Sequence, residues 1–131
     1  MRIMMLMCLV LLLLAAGGCH DELTQSPPDG SIREVYGIII HKAEGADRKL
    51  ELSVECVVPD PCYGFSHMET TIVKEKIYLT IYTHSITMQP CVQILGTFKK
   101  DITIDVPSPG DYMLHYRYQY SEMRDTMLTV R

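Results

Sequence analysis

The chain has no Gly-x-Ser-x-Gly elbow, no His-Glu-x-x-His and no glycine loop before Lys-Ser or Lys-Thr. Nucleophile-elbow hydrolases, that class of zinc protease and P-loop enzymes all need such motifs to place their reacting groups. The expectation is a protein that is not an enzyme and that needs no cofactor. Convincing helical periodicity, internal repeats and low-complexity tracts are missing too. The longest apolar run, from Ile3 to Ala16, falls short of the about 20 residues that cross a bilayer as a helix.

That short run is nevertheless informative. It follows Met1-Arg2 and ends in Gly17-Gly18-Cys19, after which the chain turns polar at His20-Asp21-Glu22. A positive start, a short apolar core and small residues before a polar junction read as an export signal over residues 1–18. Leu14-Ala15-Ala16-Gly17-Gly18-Cys19 resembles the lipobox of bacterial lipoproteins. In that family the cysteine is lipidated on sulfur and becomes the mature N-terminus, which implies lipidation of Cys19 and attachment to a membrane of the bacterial cell envelope. Ala16 stands where the family usually has Leu. His20 stands where some bacteria use Asp for inner-membrane retention, so an outer-membrane or cell-surface location is permitted.

Without residues 1–18 the chain has 113 residues, enough for one domain with a modest core. The leader's only charge is Arg2, so the remainder holds 11 basic and 16 acidic side chains, a net charge of −5. Nucleic acid and anionic lipid both require a positive field, so nucleic acid is not an expected partner. The expected partners are a membrane, reached through the lipid, and an envelope protein. Residues 20–31 are polar and turn-forming, and the segment 19–32 reads as a lipidated cysteine and flexible tether.

From residue 33 to 131 short alternating segments rich in Val, Ile, Thr and Tyr are separated by turn residues. The pattern predicts an all-β domain, a sandwich or barrel, with strands near 33–41, 49–58, 66–73, 76–84, 92–98, 101–106, 111–120 and 125–130. Hairpin connections are expected at 43–48 and 73–76. Pro107-Ser108-Pro109-Gly110-Asp111-Tyr112 resembles the penultimate-strand corner of immunoglobulin-like sandwiches, with Tyr112 in the place of the corner tyrosine. The resemblance implies an antiparallel immunoglobulin-like sandwich of seven to eight strands. Leu114 stands where antibody domains carry a cysteine and tryptophan is absent, so an antibody-type domain is excluded. The fold alone implies no function.

Three cysteines follow Cys19: Cys56, Cys62 and Cys91. Alternation over 49–58 puts Leu50, Leu52, Val54, Cys56 and Val58 on one face, so Cys56 is expected in the core. Cys62 and Cys91 each follow a proline at a corner, which favours a Cys62–Cys91 disulfide. Cys56–Cys62 is the competing pair.

Tyr112, Leu114, Tyr116, Tyr118 and Tyr120 share one face of their strand and read as core. Strand 76–84 buries Ile77, Leu79 and Ile81 and leaves Tyr78 and Tyr82 outward, a candidate partner surface. The stiff loop 59–65, with Asp60 and Tyr63, is a second candidate, of the kind a protease inhibitor presents. His67, Met68, His84, Met88, Cys91 and His115 are residue types that suit copper. Their spacing does not suit it, because His67 and Met68 alternate to opposite faces and Cys91 has no His or Met within ten residues downstream. A metal-binding envelope protein is the least favoured alternative. The leading expectation is a lipid-anchored envelope protein presenting a non-catalytic β-sandwich as a binding or structural module.

Overall fold

A computed structural model describes residues 32–87 and 89–131. The signal segment 1–18, Cys19, the tether up to residue 31 and Met88 lie outside the described residues. The described residues form eight strands in two sheets, with no helix. The strands are β1 (Arg33–Glu34), β2 (Gly37–Ala46), β3 (Lys49–Val58), β4 (Tyr63–Val73), β5 (Lys76–Ser85), β6 (Gly96–Asp105), β7 (Gly110–Gln119) and β8 (Glu122–Val130). The β-sandwich read from the alternation is therefore the fold.

Period-two patterning builds the core. β3 buries Leu50, Leu52, Val54, Cys56 and Val58 and turns Glu51, Ser53 and Glu55 outward. In β5, Ile77, Leu79, Ile81 and Thr83 point in. Ile102 and Ile104 of β6 and Tyr112, Leu114 and Tyr116 of β7 complete the layer between the sheets. The interior is almost wholly aliphatic, supplemented by tyrosine bodies.

One sheet has the order β2-β3-β6, and the other pairs β4 with β5 and continues through β7 to β8. β2–β8 match in number the seven strands of a constant-type immunoglobulin sandwich, in which the first, second, fourth and fifth share a sheet. Here the fourth, β5, lies in the other sheet. It runs parallel to β7, with Ile77 opposite Leu114 and Leu79 opposite Tyr116, whereas all other pairs are antiparallel. The tyrosine corner is present: Tyr112 Oη donates to the Ser108 carbonyl at 2.8 Å.

Three strand expectations need correction. The segment 33–41 is two strands in different sheets: β1 lies along β5 (Arg33 opposite Thr83), the chain crosses over at Val35-Tyr36, and β2 pairs with β3. The unbroken apolar run hides this break, because Val35 and Ile38 both enter the core. The expected strands 92–98 and 101–106 are one strand beginning at Gly96, in which Lys99, Lys100 and Asp101 are an exposed stretch paired to β3. Tyr120 is not core: the register shifts between Arg117 and Gln119, and Tyr120 ends in a turn with φ of 46°, exposed against the Tyr36 ring.

β2 also closes one side of the sandwich. Asp47 N–H donates to the Arg131 carbonyl at 3.1 Å, and Tyr120 N–H to that of Tyr36 at 2.6 Å. The approach requires glycine at position 45, where a Cβ would lie 2.8 Å from the Val130 Cα.

Candidate functional site

Backbone register brings three separate segments to one end of the sandwich. Arg33 opposite Thr83 and Tyr63 opposite Ser85 place the first described residues, the 59–62 corner and the connection after β5 side by side. The connection 86–95 is fixed to this corner in two ways. Ile86 N–H donates to the Cys62 carbonyl at 2.8 Å. Cys91 forms a disulfide with Cys62, with Cα atoms 6.1 Å apart. Cys56 is the buried free thiol, so the competing Cys56–Cys62 pair is not formed. Burial, with a smaller contribution from the Glu55 charge, pushes the Cys56 thiol up to about 12, so it stays protonated and inert near neutrality.

The 59–65 loop is less open than its sequence implies. Asp60 is buried, and its Oδ1 accepts the Cys62 N–H at 2.9 Å. The carboxylate thus braces the corner instead of facing a partner, which corrects the reading of Asp60 as a contact residue. Tyr63 is half-buried, with the Arg33 guanidinium 5.2 Å from its ring centroid. Thr83, fully buried, donates to the Gly64 carbonyl at 2.6 Å and secures the start of β4.

Beyond the corner the connection is apolar and outward. Ile86, Val92, Ile94 and Leu95 are exposed by 62, 66, 60 and 54 %, and Ile32, just before β1, by 58 %. From Ser85 to Phe98 the chain has no charged side chain. Reading 92–98 as a strand concealed this feature; the charge-free run around Pro90-Cys91 was the available signal.

Tyr78 and Tyr82 do lie on the outer face of β5, but each belongs to a different neighbour. Tyr82 stacks on His67 of β4 with ring centroids 4.5 Å apart, and its hydroxyl donates to Glu69 at 3.2 Å. Burial first, then the Glu69 charge and hydrogen bond, raises the Tyr82 pKa. Tyr78 meets His115 of β7 edge-on at 5.4 Å. The two are therefore parts of cross-strand pairs on either side of β5.

Three of the copper-type residues lie in separate local contacts. His67 Nδ1 bonds Ser66, His115 pairs with Asp125, and Met68 packs against the core. Among the described residues one group brings three potential ligand atoms within 4.8 Å of one another, Asp60, Cys62 and Cys91. Its two sulfurs are bonded to each other, so only a carboxylate is left to ligate. The outer face of the other sheet holds cross-strand contacts of its own: His41 with Glu55 at 2.9 Å and Ser53 with Asp101 at 2.5 Å. The bonds from His41 and Thr97 lower the Glu55 pKa. A cleft of about 140 Å³ beside β1 is lined by Leu79, Ile81 and Met123 and bordered by the Glu34–Arg117 ion pair.

Residues 52–116 match the ORF11 beta-sandwich domain. The matched stretch runs from β3 into β7 and contains the corner, the disulfide and the exposed apolar connection. Its description agrees with the two-sheet architecture. No curated protein and no solved structure matches the chain.

Proposed function

We propose that the chain is a bacterial envelope lipoprotein, anchored by lipid on Cys19, whose β-sandwich acts as a non-catalytic binding or structural module. The observation that carries this reading is the Cys62–Cys91 disulfide on a chain that opens with a lipobox-like leader. Disulfides persist outside the reducing cytosol, so a structural bond and an export signal point to the same compartment. The lipobox-like Gly17-Gly18-Cys19 then specifies anchorage over free release.

The pairing of surface groups supports a module without chemistry. His41, His115 and Tyr82 each direct one polar atom to a neighbouring strand, an arrangement suited to stiffening a sheet face.

Expression of Cys19→Ala in the native host, followed by separation of membrane and soluble fractions, tests the anchor. Loss of the protein from the membrane fraction is expected. Retention of the variant there at the parental level would overturn the reading. Because one acyl chain gives only marginal binding, stable attachment needs the several chains typical of such lipoproteins.

A further inference from the structure

We propose that Ile86, Val92, Ile94 and Leu95 of the connection after β5, together with Ile32, form a membrane-contact surface that seats the tethered end of the sandwich in the interface of an uncharged lipid bilayer. This rests on the anchored reading above and adds to it an orientation and a second point of contact.

The first argument is position. The described chain starts at Ile32, and Arg33 lies opposite Thr83, two residues before β5 ends and the loop begins. Twelve residues separate Cys19 from Ile32, and so many residues span at most about 45 Å. A lipid on Cys19 therefore keeps Ile32, at this end of the sandwich, within that distance of the bilayer. The far end, about 30 Å away along ten-residue strands, carries the charged turns Asp47-Arg48 and Lys74-Glu75.

The second argument is chemistry. Five exposed aliphatic side chains, Ile32, Ile86, Val92, Ile94 and Leu95, gather at one end, a costly arrangement in water unless something covers them. Protein interfaces favour Tyr, Trp, Met and Arg, and Leu and Val are under-represented among their energetic anchors. An aliphatic loop with no charge fits hydrocarbon better than it fits a protein groove. The net charge of −5 after the leader opposes attraction to anionic headgroups, so the lipid it suits is zwitterionic.

The third argument is rigidity. The Ile86 hydrogen bond and the Cys91 disulfide hold the loop against the corner, and Gly96 closes it against Pro61, whose Cα lies 2.7 Å from where a Cβ would stand. A loop already held in shape loses little freedom on entering the interface.

The chain contains no tryptophan, so one introduced indole reports on one place. The lipidated full chain carrying Ile94→Trp, or Val92→Trp as a second reporter, is mixed with phosphatidylcholine vesicles, with Val73→Trp at the far end as control. Flotation reads the anchor, and quenching by brominated phosphatidylcholine reads the loop. The expected result is flotation of all three, with blue-shifted emission and roughly two-fold quenching at 94 and 92, as for side chains about 5–10 Å into the interface. Val73→Trp should show neither. Flotation with unquenched emission at 94 and 92 overturns the contact surface and leaves the anchor standing. Quenching at 94 in excess vesicles without flotation supports the surface and removes the anchor. Neither signal overturns both. A shift seen in native membranes but not in pure lipid assigns the loop to a protein partner and overturns the lipid assignment.

Discussion

At one end of the sandwich β2 passes into β3 through Asp47-Arg48, and β4 into β5 through Lys74-Glu75, two-residue reversals with charged tips. At the other, ten residues join β5 to β6, four of them exposed aliphatics, and a disulfide and a buried aspartate hold the connection in place. The strands between are the same strands, so the difference is not imposed by the core. Asp47, Arg48 and Lys74 accept positive φ to make tight turns, a conformation that costs a non-glycine residue about 1 kcal/mol or more. The long connection has a different duty, because it carries the chain from β5 in one sheet to β6 in the other. The crossing accounts for its length, and the tight Tyr120-Ser121 turn lies at the same end; what sets this end apart is the exposed aliphatic surface, the contact end of the proposal above.

The largest effect should come from cutting the staple. Cys62→Ala with Cys91→Ala opens a link across 29 residues and should cost about 3–4 kcal/mol, read by urea denaturation. Amide exchange should rise in 86–95 and 59–63 while the Asp47-Arg48 and Lys74-Glu75 turns keep their protection. Equal loosening at both ends would break the comparison.

The free thiol gives the next largest effect, through pH. Cys56 is held at about 12 by burial and Glu55, whereas an unfolded thiol titrates near about 8.5. The folded chain therefore keeps a proton that the unfolded chain releases. This group leaves stability unchanged below about pH 8.5, and stability falls as pH rises toward 12, by at most about 1.4 kcal/mol per pH unit. Urea midpoints taken from neutral pH upward should show that slope in the parent and a shallower one in Cys56→Ala. The same slope in both would mean that Cys56 is not the titrating group.

Smaller effects sharpen the turn end. Tyr112→Phe removes the hydrogen bond to the Ser108 carbonyl and should cost about 1 kcal/mol, again by denaturation. Arg48→Gly replaces a side chain at φ of 60° in a two-residue hairpin turn. It completes the Asp-Gly pair such turns favour, so stability should rise by about 0.5–1 kcal/mol. A loss there would mean that the Arg48 side chain, and not turn geometry, holds this reversal.

Much of the fold was legible because alternation is a local signal. The bounds of β3 and the inward placing of Cys56 follow from counting by twos over residues 49–58, and the proline corners before Cys62 and Cys91 single those two out as the bonded pair. Non-local choices were not legible. The crossing of the chain between sheets at Val35-Tyr36 and the parallel pairing of β5 with β7 depend on which strand arrives beside which. The register shift before Gln119, which turns Tyr120 to the surface, leaves no local mark in a run of alternating tyrosines. Asp60 read as exposed because aspartate between prolines usually is, yet its Oδ1 answers the Cys62 N–H. The contact end itself was half legible: its cysteines were found, but its aliphatic residues were read as the start of a strand.

Both ends can be compared in one experiment. Amide hydrogen exchange of the lipidated chain is followed on phosphatidylcholine vesicles and in the Cys19→Ala chain free in solution. The account predicts that the vesicle-bound chain gains protection in residues 86–95 and none at Asp47-Arg48 or Lys74-Glu75. Protection gained at those two turns, or at neither end, would contradict it.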